Sequence, residues 1–289
     1  MPSPAPAAED GGEAMITMPH RAKQLLIDAL DEQWSSLARL LGELVASDWS
    51  APSPLPGWRV RDIVAHLIGT EATLSGQQPP TDPTDYLARP HVRNELGEFN
   101  ELWVNAMRDL TPQQLLDRFS EVTDRRRAAL AELSQEDFDA PSWTPLGPGT
   151  YADFMRLRVF DCWMHEQDIR FTVGKPGHDR GVCAELVVDV IVDRLGALVG
   201  KAVGAPQGSS ITLTLTGPVR RQAHVLVEGT ANLVPELPGP ATASLRLSST
   251  LCTRLVGGRV EPDDHLADIR IDGDTELGTH LVRNLTSTP

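Results

Sequence analysis

Between Thr150 and Phe171 the sequence T-Y-A-D-F-M-R-L-R-V-F-D-C-W-M-H-E-Q-D-I-R-F reads as one helix whose inward stripe changes character along its length. Steps of three and four from Thr150 pass through Phe154, Leu157, Asp161, His165 and Asp168, so a stripe that begins apolar ends in two carboxylates and an imidazole. Burying an ionised carboxylate costs several kcal/mol, about what a metal ion or a fixed cation can offset. Asp161 and His165, at i and i+4, rise from one side of the helix and can reach one ion together. The plain alternative is a surface pair engaged with Arg158 or Arg170. A third donor is available at His66, which lies on the apolar face Ile63, His66, Leu67, Thr70, Leu74 of another helix, with Asp62 one turn before it. It reads either as a core histidine bonded to a neighbour or as a ligand. His66, Asp161 and His165 would leave one position open on a divalent ion, as catalytic zinc sites do, with Asp62 or Asp168 orienting an imidazole from behind.

These residues need helices to carry them. Thr150 with Asp153 makes a capping-box start, and Gly174 and Pro176 end the same helix. Upstream, the spacing predicts a helix from Arg21 to Trp49, a break at S-A-P-S-P-L-P-G-W, and a second helix starting near Trp58 that carries His66. A third runs from His91 to Leu110, and a fourth from the Thr111-Pro112 cap toward Leu133. The loop Asp137 to Gly149 then leads to the helix of Asp161. Arg125, Arg126 and Arg127 fan around the fourth helix and are read as mostly solvated. Long helices with short or Pro-rich connections make an antiparallel bundle, which builds metal sites from facing helices.

After G-K-P-G-H the periodicity changes. Val182 to Val203 reads as a helix, followed by the alternating runs I-T-L-T-L-T, A-H-V-L-V-E-G, A-S-L-R-L and D-I-R-I-D-G-D, with a hairpin turn at Gly217-Pro218 and a helix from Ser248 to Val256. The expected organisation is α+β and multidomain: a disordered leader at residues 1–19, in which Met15 or Met18 could be the true start, a helical bundle over 20–175, and a small α+β domain over 176–289.

Composition narrows the function. The 289 residues carry a net charge of −14, which disfavours nucleic acid and anionic membranes as partners. Cys162, Cys183 and Cys252 are widely spaced, without a C-x-x-C, which fits a reducing cytoplasm rather than a disulfide framework. No targeting signal or long apolar run is visible. The only lysines are Lys23, Lys175 and Lys201, an arginine bias that suggests a GC-rich genome.

Three segments carry a family resemblance: L-P-G-W-R-V-R-D-I-V-A-H-L (Leu55 to Leu67), R-V-F-D-C-W-M-H-E-Q-D-I-R (Arg158 to Arg170), and R-L-V-G-G-R-V-E-P with I-D-G-D-T-E-L-G near the end. The chain resembles the mycothiol-dependent maleylpyruvate isomerase family. That resemblance implies an N-terminal DinB-like bundle holding a divalent metal, usually zinc, a sterol-carrier-like C-terminal α/β domain, and an actinobacterial source. The family's ligands map onto His66, Asp161 and His165, with Asp161 standing where the isomerase has Glu, and its assisting arginine maps onto Arg259. The implied activity uses mycothiol, held by its sulfur on zinc as the reactive thiolate. That thiolate either adds to an unsaturated acid, allows rotation and leaves, or stays in an S-transfer product. A non-catalytic metal- or ligand-binding module is the alternative. A zinc hydrolase with Glu166 or Asp168 as base ranks last, since H-E-x-x-H is absent. The electrophile and the oligomeric state are not legible in the sequence.

Overall fold

The computed structural model describes residues 22–286, so the expected leader lies outside the described residues. The bundle is built from α1 (Lys23–Gly42), α2 (Val60–Leu74), α3 (Glu95–Ala106), α4 (Pro112–Glu132) and α5 (Tyr151–Val173). Helix α1 packs on α4 and α5, while α2 packs on α3, α4 and α5, which brings the His66 helix against the Asp161 helix. The caps explain the boundaries. Thr111 accepts from the Gln114 N–H, with Pro112 at the first helical position, and Thr150 accepts from the Asp153 N–H at 3.1 Å. Helix α5 ends on Gly174, whose φ of 66° is the left-handed conformation that glycine adopts without a Cβ clash.

Several boundaries differ from the sequence reading. The first helix stops at Gly42 and resumes only as Ala46–Trp49, because Asp48 accepts from the Val45 N–H and opens a new helical turn there. The third helix is shorter, starting at the Asn94 cap, whose side chain accepts from Gly97. The segment before α5 holds a short helix, Gln135–Asp139, and a hairpin of β1 (Pro141–Thr144) and β2 (Gly147–Thr150). Its turn uses Gly147 at φ 112°, and Thr144 Oγ1 donates to the Gly147 carbonyl.

Beyond Gly174 come α6 (Val182–Asp193) and a mixed five-stranded sheet: β3 (Ser210–Thr216), β4 (Arg221–Glu228), β5 (Thr230–Val234), β6 (Ala243–Ser248) and β7 (Arg270–Gly273), in the order β5-β4-β3-β6-β7. Only β3 and β6 pair in parallel, through the crossover that the remaining pairs do not need. Alternation places Ile211, Leu213, Leu215, Ala223, Val225, Val227, Ala243, Leu245 and Leu247 in the core. Helices α7 (Ser249–Val256) and α8 (Thr275–Arg283) pack against this sheet. Strand β5 and helix α8 went unread in the sequence. T-A-N-L-V is a largely exposed edge strand with no apolar alternation, and the start of α8 is set by Asp274, which accepts from Glu276 and Leu277. The helix expected over Val182 to Val203 is interrupted after Asp193 and ends in a wider-wound turn at Leu198–Ala202. Chain composition and architecture together make the protein α+β. One apolar cluster runs from Leu26 on α1 through α5 and α6 to Leu285, so the two parts share a core rather than touching at a wet seam. Among the described residues no helix is long and apolar enough to cross a membrane.

Candidate metal centre

Helix α2 supplies His66 and helix α5 supplies Asp161, His165 and Asp168. His66 Nε2 lies 3.3 Å from Asp161 Oδ2, and His165 Nε2 lies 3.5 Å from Asp161 Oδ1. The imidazole rings meet edge to face with centroids 4.9 Å apart. One donor atom from each of the three residues lies within 4.8 Å of the other two. Both histidines are buried, whereas the Asp161 side chain keeps 31 % of its surface, so the centre opens to solvent on the Asp161 side.

The three residues suit a divalent ion. Zinc bonds of about 2.0–2.2 Å in tetrahedral geometry set donors roughly 3.3–3.5 Å apart, and each histidine already stands that far from one of the two Asp161 oxygens. Burial lowers the His66 pKa against the pull of Asp161, which favours the neutral imidazole that ligates metals. Its Nδ1 is buried with no hydrogen-bond partner among the described residues. Burial also pulls His165 down, but Asp161 and Asp168 outweigh it and its pKa is raised. Burial raises the Asp161 carboxyl, yet Arg158, His165 and His66 together hold it well below the usual carboxylate range.

Behind the donors the structure separates residues that the sequence left as equals. Asp168 is 3.3 Å from His165 Nδ1, the carboxylate–histidine arrangement that fixes a ligand's tautomer. Arg259, in the segment after α7, donates to Asp168 from Nε at 3.0 Å and from Nη2 at 2.8 Å, and also to the Gly257 carbonyl. Thus Arg259 does reach the site from the second part of the chain, but its guanidinium is spent on Asp168. Asp62 does not orient His66. It sits at the third position of α2 and accepts from the Arg59 N–H at 2.9 Å, a cap in which only its short reach back to the backbone matters. Glu166 does not face the centre either, because its carboxylate is bound by Gln33, Ser36, Arg170 and His178.

Trp58, Glu101 and Glu71 were given no part in the centre by the sequence reading, which named Arg158 only as a surface partner of Asp161. The Trp58 ring lies 5.3 Å from the His66 ring and 6.2 Å from the His165 ring, roofing the centre, and Trp58 Nε1 donates to buried Glu101 at 2.6 Å. Gly57 makes that placement feasible: its φ is 82°, and a Cβ there would stand 2.7 Å from the His91 ring, which also contacts Glu101. The L-P-G-W segment was visible, but nothing in it named Glu101 as the anchor. Arg158 donates to Asp161 at 2.7 Å and to Glu71 at 2.9 Å, and Glu71 also receives Arg126 at 3.1 Å. Of the three consecutive arginines, Arg126 is therefore buried rather than solvated.

Because Asp168 would reach an ion at this centre only through His165, Asp168→Asn is expected to weaken divalent-ion affinity by about 10–100-fold without unfolding the bundle. Competition with a chromogenic chelator measures it, and unchanged affinity would show that the Asp168 contact is incidental.

A helical bundle converging two histidines and an aspartate on one point, with a five-stranded sheet and its helices packed onto the same core, defines an α+β protein with a candidate metal centre in its bundle. Residues 30–170 match the family model of the mycothiol maleylpyruvate isomerase N-terminal domain. The fold agrees over most of the chain. A crystal structure of the mycothiol-dependent maleylpyruvate isomerase, in a histidine-to-alanine mutant, superposes with a TM-score of 0.56 at 16 % identity, covering 86 % of this chain and 92 % of that one. A second structure of the mycothiol-dependent maleylpyruvate isomerase gives 0.53 at 17 % identity, covering 82 % and 90 %. Sterol carrier protein 2 from Yarrowia lipolytica aligns with 36 % of this chain and 94 % of its own length, at 11 % identity and a TM-score of 0.28. No curated protein matches the chain in sequence.

Proposed function

We propose that the protein is a zinc-dependent, mycothiol-using enzyme that acts on a small electrophile, such as an unsaturated acid, by isomerisation or by thiol transfer. The observation that carries this reading is the placement of His66, Asp161 and His165 donor atoms within 4.8 Å of one another inside a domain of the mycothiol maleylpyruvate isomerase N-terminal type. A divalent ion held by these residues would lower the pKa of a thiol placed on its open position, supplying the nucleophilic form at neutral pH. The chain's own residues do the rest. Asp168 holds the His165 tautomer, Arg259 keeps Asp168 ionised in its buried setting, and the Trp58 ring screens the two imidazoles from water. Asp161, the half-open donor, marks the side from which thiol and electrophile enter. The three free, buried cysteines agree with a reducing cytoplasm.

The test is incubation of the purified protein with mycothiol and an unsaturated acid, with and without prior chelation. Turnover that disappears on chelation and without thiol is expected. Thiol recovered unchanged identifies isomerisation, and its stoichiometric consumption identifies transfer. Turnover without thiol would sink the reading in favour of a hydrolase, and no turnover with any electrophile would leave the binding-module reading standing.

Arg259 tests the inner layout. Since its guanidinium is bound to Asp168, Arg259→Ala is expected to lower kcat by about 10–100-fold and to weaken metal binding in parallel. Arg259→Lys, which retains the charge, should recover part of both. A rise in KM for an anionic substrate, with kcat and metal binding intact, would instead mean that Arg259 leaves Asp168 to bind the substrate carboxylate.

A further inference from the structure

A second group of potential ligands lies where α1, the connection after α5 and the start of α6 meet. Glu32 comes from α1, His178 from the connection, and Cys183 from the first turn of α6, and one donor atom of each lies within 4.8 Å of the other two. His178 Nε2 is 3.2 Å from Glu32 Oε1, and the Cys183 thiol, fully buried, donates to the Ala29 carbonyl at 3.2 Å. None of these residues belongs to the His66 centre.

The imidazole is held more firmly than a surface ion pair requires. Its Nδ1 is 2.8 Å from Glu166 Oε2, and Glu166 has no exposed surface and is fixed in turn by Ser36 and Arg170. A buried carboxylate behind one ring nitrogen, with the other nitrogen facing further donors, is the usual setting of a metal-binding histidine. The backbone of His178 is left-handed at φ 54°, the one non-glycine residue so placed among those described. That strain is held by Trp163 Nε1, which donates to the His178 carbonyl at 2.8 Å.

We propose that Glu32, His178 and Cys183 form a second divalent-metal site, of the zinc class, that clamps the connection between the two parts of the chain to α1 and α6. One sulfur, one nitrogen and one oxygen donor suit zinc or cobalt(II), while magnesium and calcium require oxygen alone. The Glu32 side chain is 47 % exposed, so the ion enters from that side and keeps water as its fourth ligand. A divalent ion bound here takes the Cys183 sulfur as thiolate, its proton passing to solvent.

Cobalt(II) titration of the mycothiol-free, full-length protein tests this. A thiolate-to-cobalt charge-transfer band in the near ultraviolet is expected, and the His66 centre, which has no sulfur, cannot produce it. The band should remain in His66→Ala and in Cys162→Ser, disappear in Cys183→Ser and weaken in Glu32→Gln. No band in the unmodified protein, or a band that survives Cys183→Ser, overturns the proposal. Should Cys183→Ser fail to fold, Glu32→Gln decides alone, because its side chain lies at the surface: an unchanged cobalt affinity and band there overturn the site equally. The outcome is independent of any thiol chemistry at the first centre.

Discussion

Alanine at His165 is expected to take the protein from a bound divalent ion at the His66–Asp161–His165 centre to an empty one, and to lower chelator-sensitive turnover by about a thousandfold. The size follows from the several kcal/mol that a metal supplies to a developing charge, at about 1.4 kcal/mol per factor of ten. His66→Ala should do the same, since either change leaves a single imidazole and one carboxylate. The fold should persist: the bundle core around α1, α2, α4 and α5 is apolar and continuous, and Asp161 and Asp168 keep Arg158 and Arg259 as partners. Acid should act in the same direction. A divalent ion takes neutral imidazole and the His165 pKa is raised, so affinity for it should be full above that raised value and decline as pH falls through it, beginning at a higher pH than for an ordinary histidine. Elemental analysis of both variants, together with calorimetric titration across pH, measures these effects. Full occupancy in His66→Ala and His165→Ala would refute the centre.

How far the sequence carried this site depended on whether each residue announced itself through spacing. Asp161, His165 and Asp168 are steps on one helical stripe, so their common side could be counted off. His66 lay on an apolar stripe of its own, and the facing of the two stripes rested on the bundle and on the family resemblance. Arg259 came only from that resemblance, and the direction of its side chain, onto Asp168 91 residues away, is a product of how the sheet domain docks on α5. Asp62 had two readings, behind an imidazole or in a first turn, and spacing could not choose between them; with Arg59 at the N-cap, the Asp62 carboxylate accepts from the backbone. The helices were read because their periodicity is long. The hairpin, the edge strand β5 and the short helix α8 were missed, because four to nine residues with polar exposed faces leave little periodicity to count.

The arginine triplet shows the same limit and leads to the largest expected loss of stability. Three consecutive arginines must point in three directions, and pattern alone does not say which one turns inward. The missed clue lay on the other helix: Glu71 follows Leu67 by four residues on the buried stripe of α2, where a lone carboxylate could not remain without a cation. Glu71 is 1 % exposed and is shared by Arg126 Nε at 3.1 Å and Arg158 Nη2 at 2.9 Å, both guanidinium groups being buried as well. Arg126 further contacts the Tyr151 hydroxyl and the Leu74 carbonyl, so the group ties α2, α4 and α5 together directly beneath Asp161. Glu71→Ala would leave two buried guanidinium groups with one carboxylate, Asp161, between them. The expected cost is about 3–5 kcal/mol, the usual penalty for removing one partner from a buried pair. Urea unfolding at neutral pH should show it as a lower midpoint with an unchanged slope. Arg158 would also be freed to draw Asp161 away from the two histidines, so metal affinity should fall alongside stability. Replacing Glu71, Arg126 and Arg158 together by apolar residues of similar volume should restore much of the stability, though not the placement of Asp161. A Glu71→Ala protein within about 1 kcal/mol of the parent, with metal affinity intact, would mean that the network neither supports the bundle nor sets the carboxylate ligand.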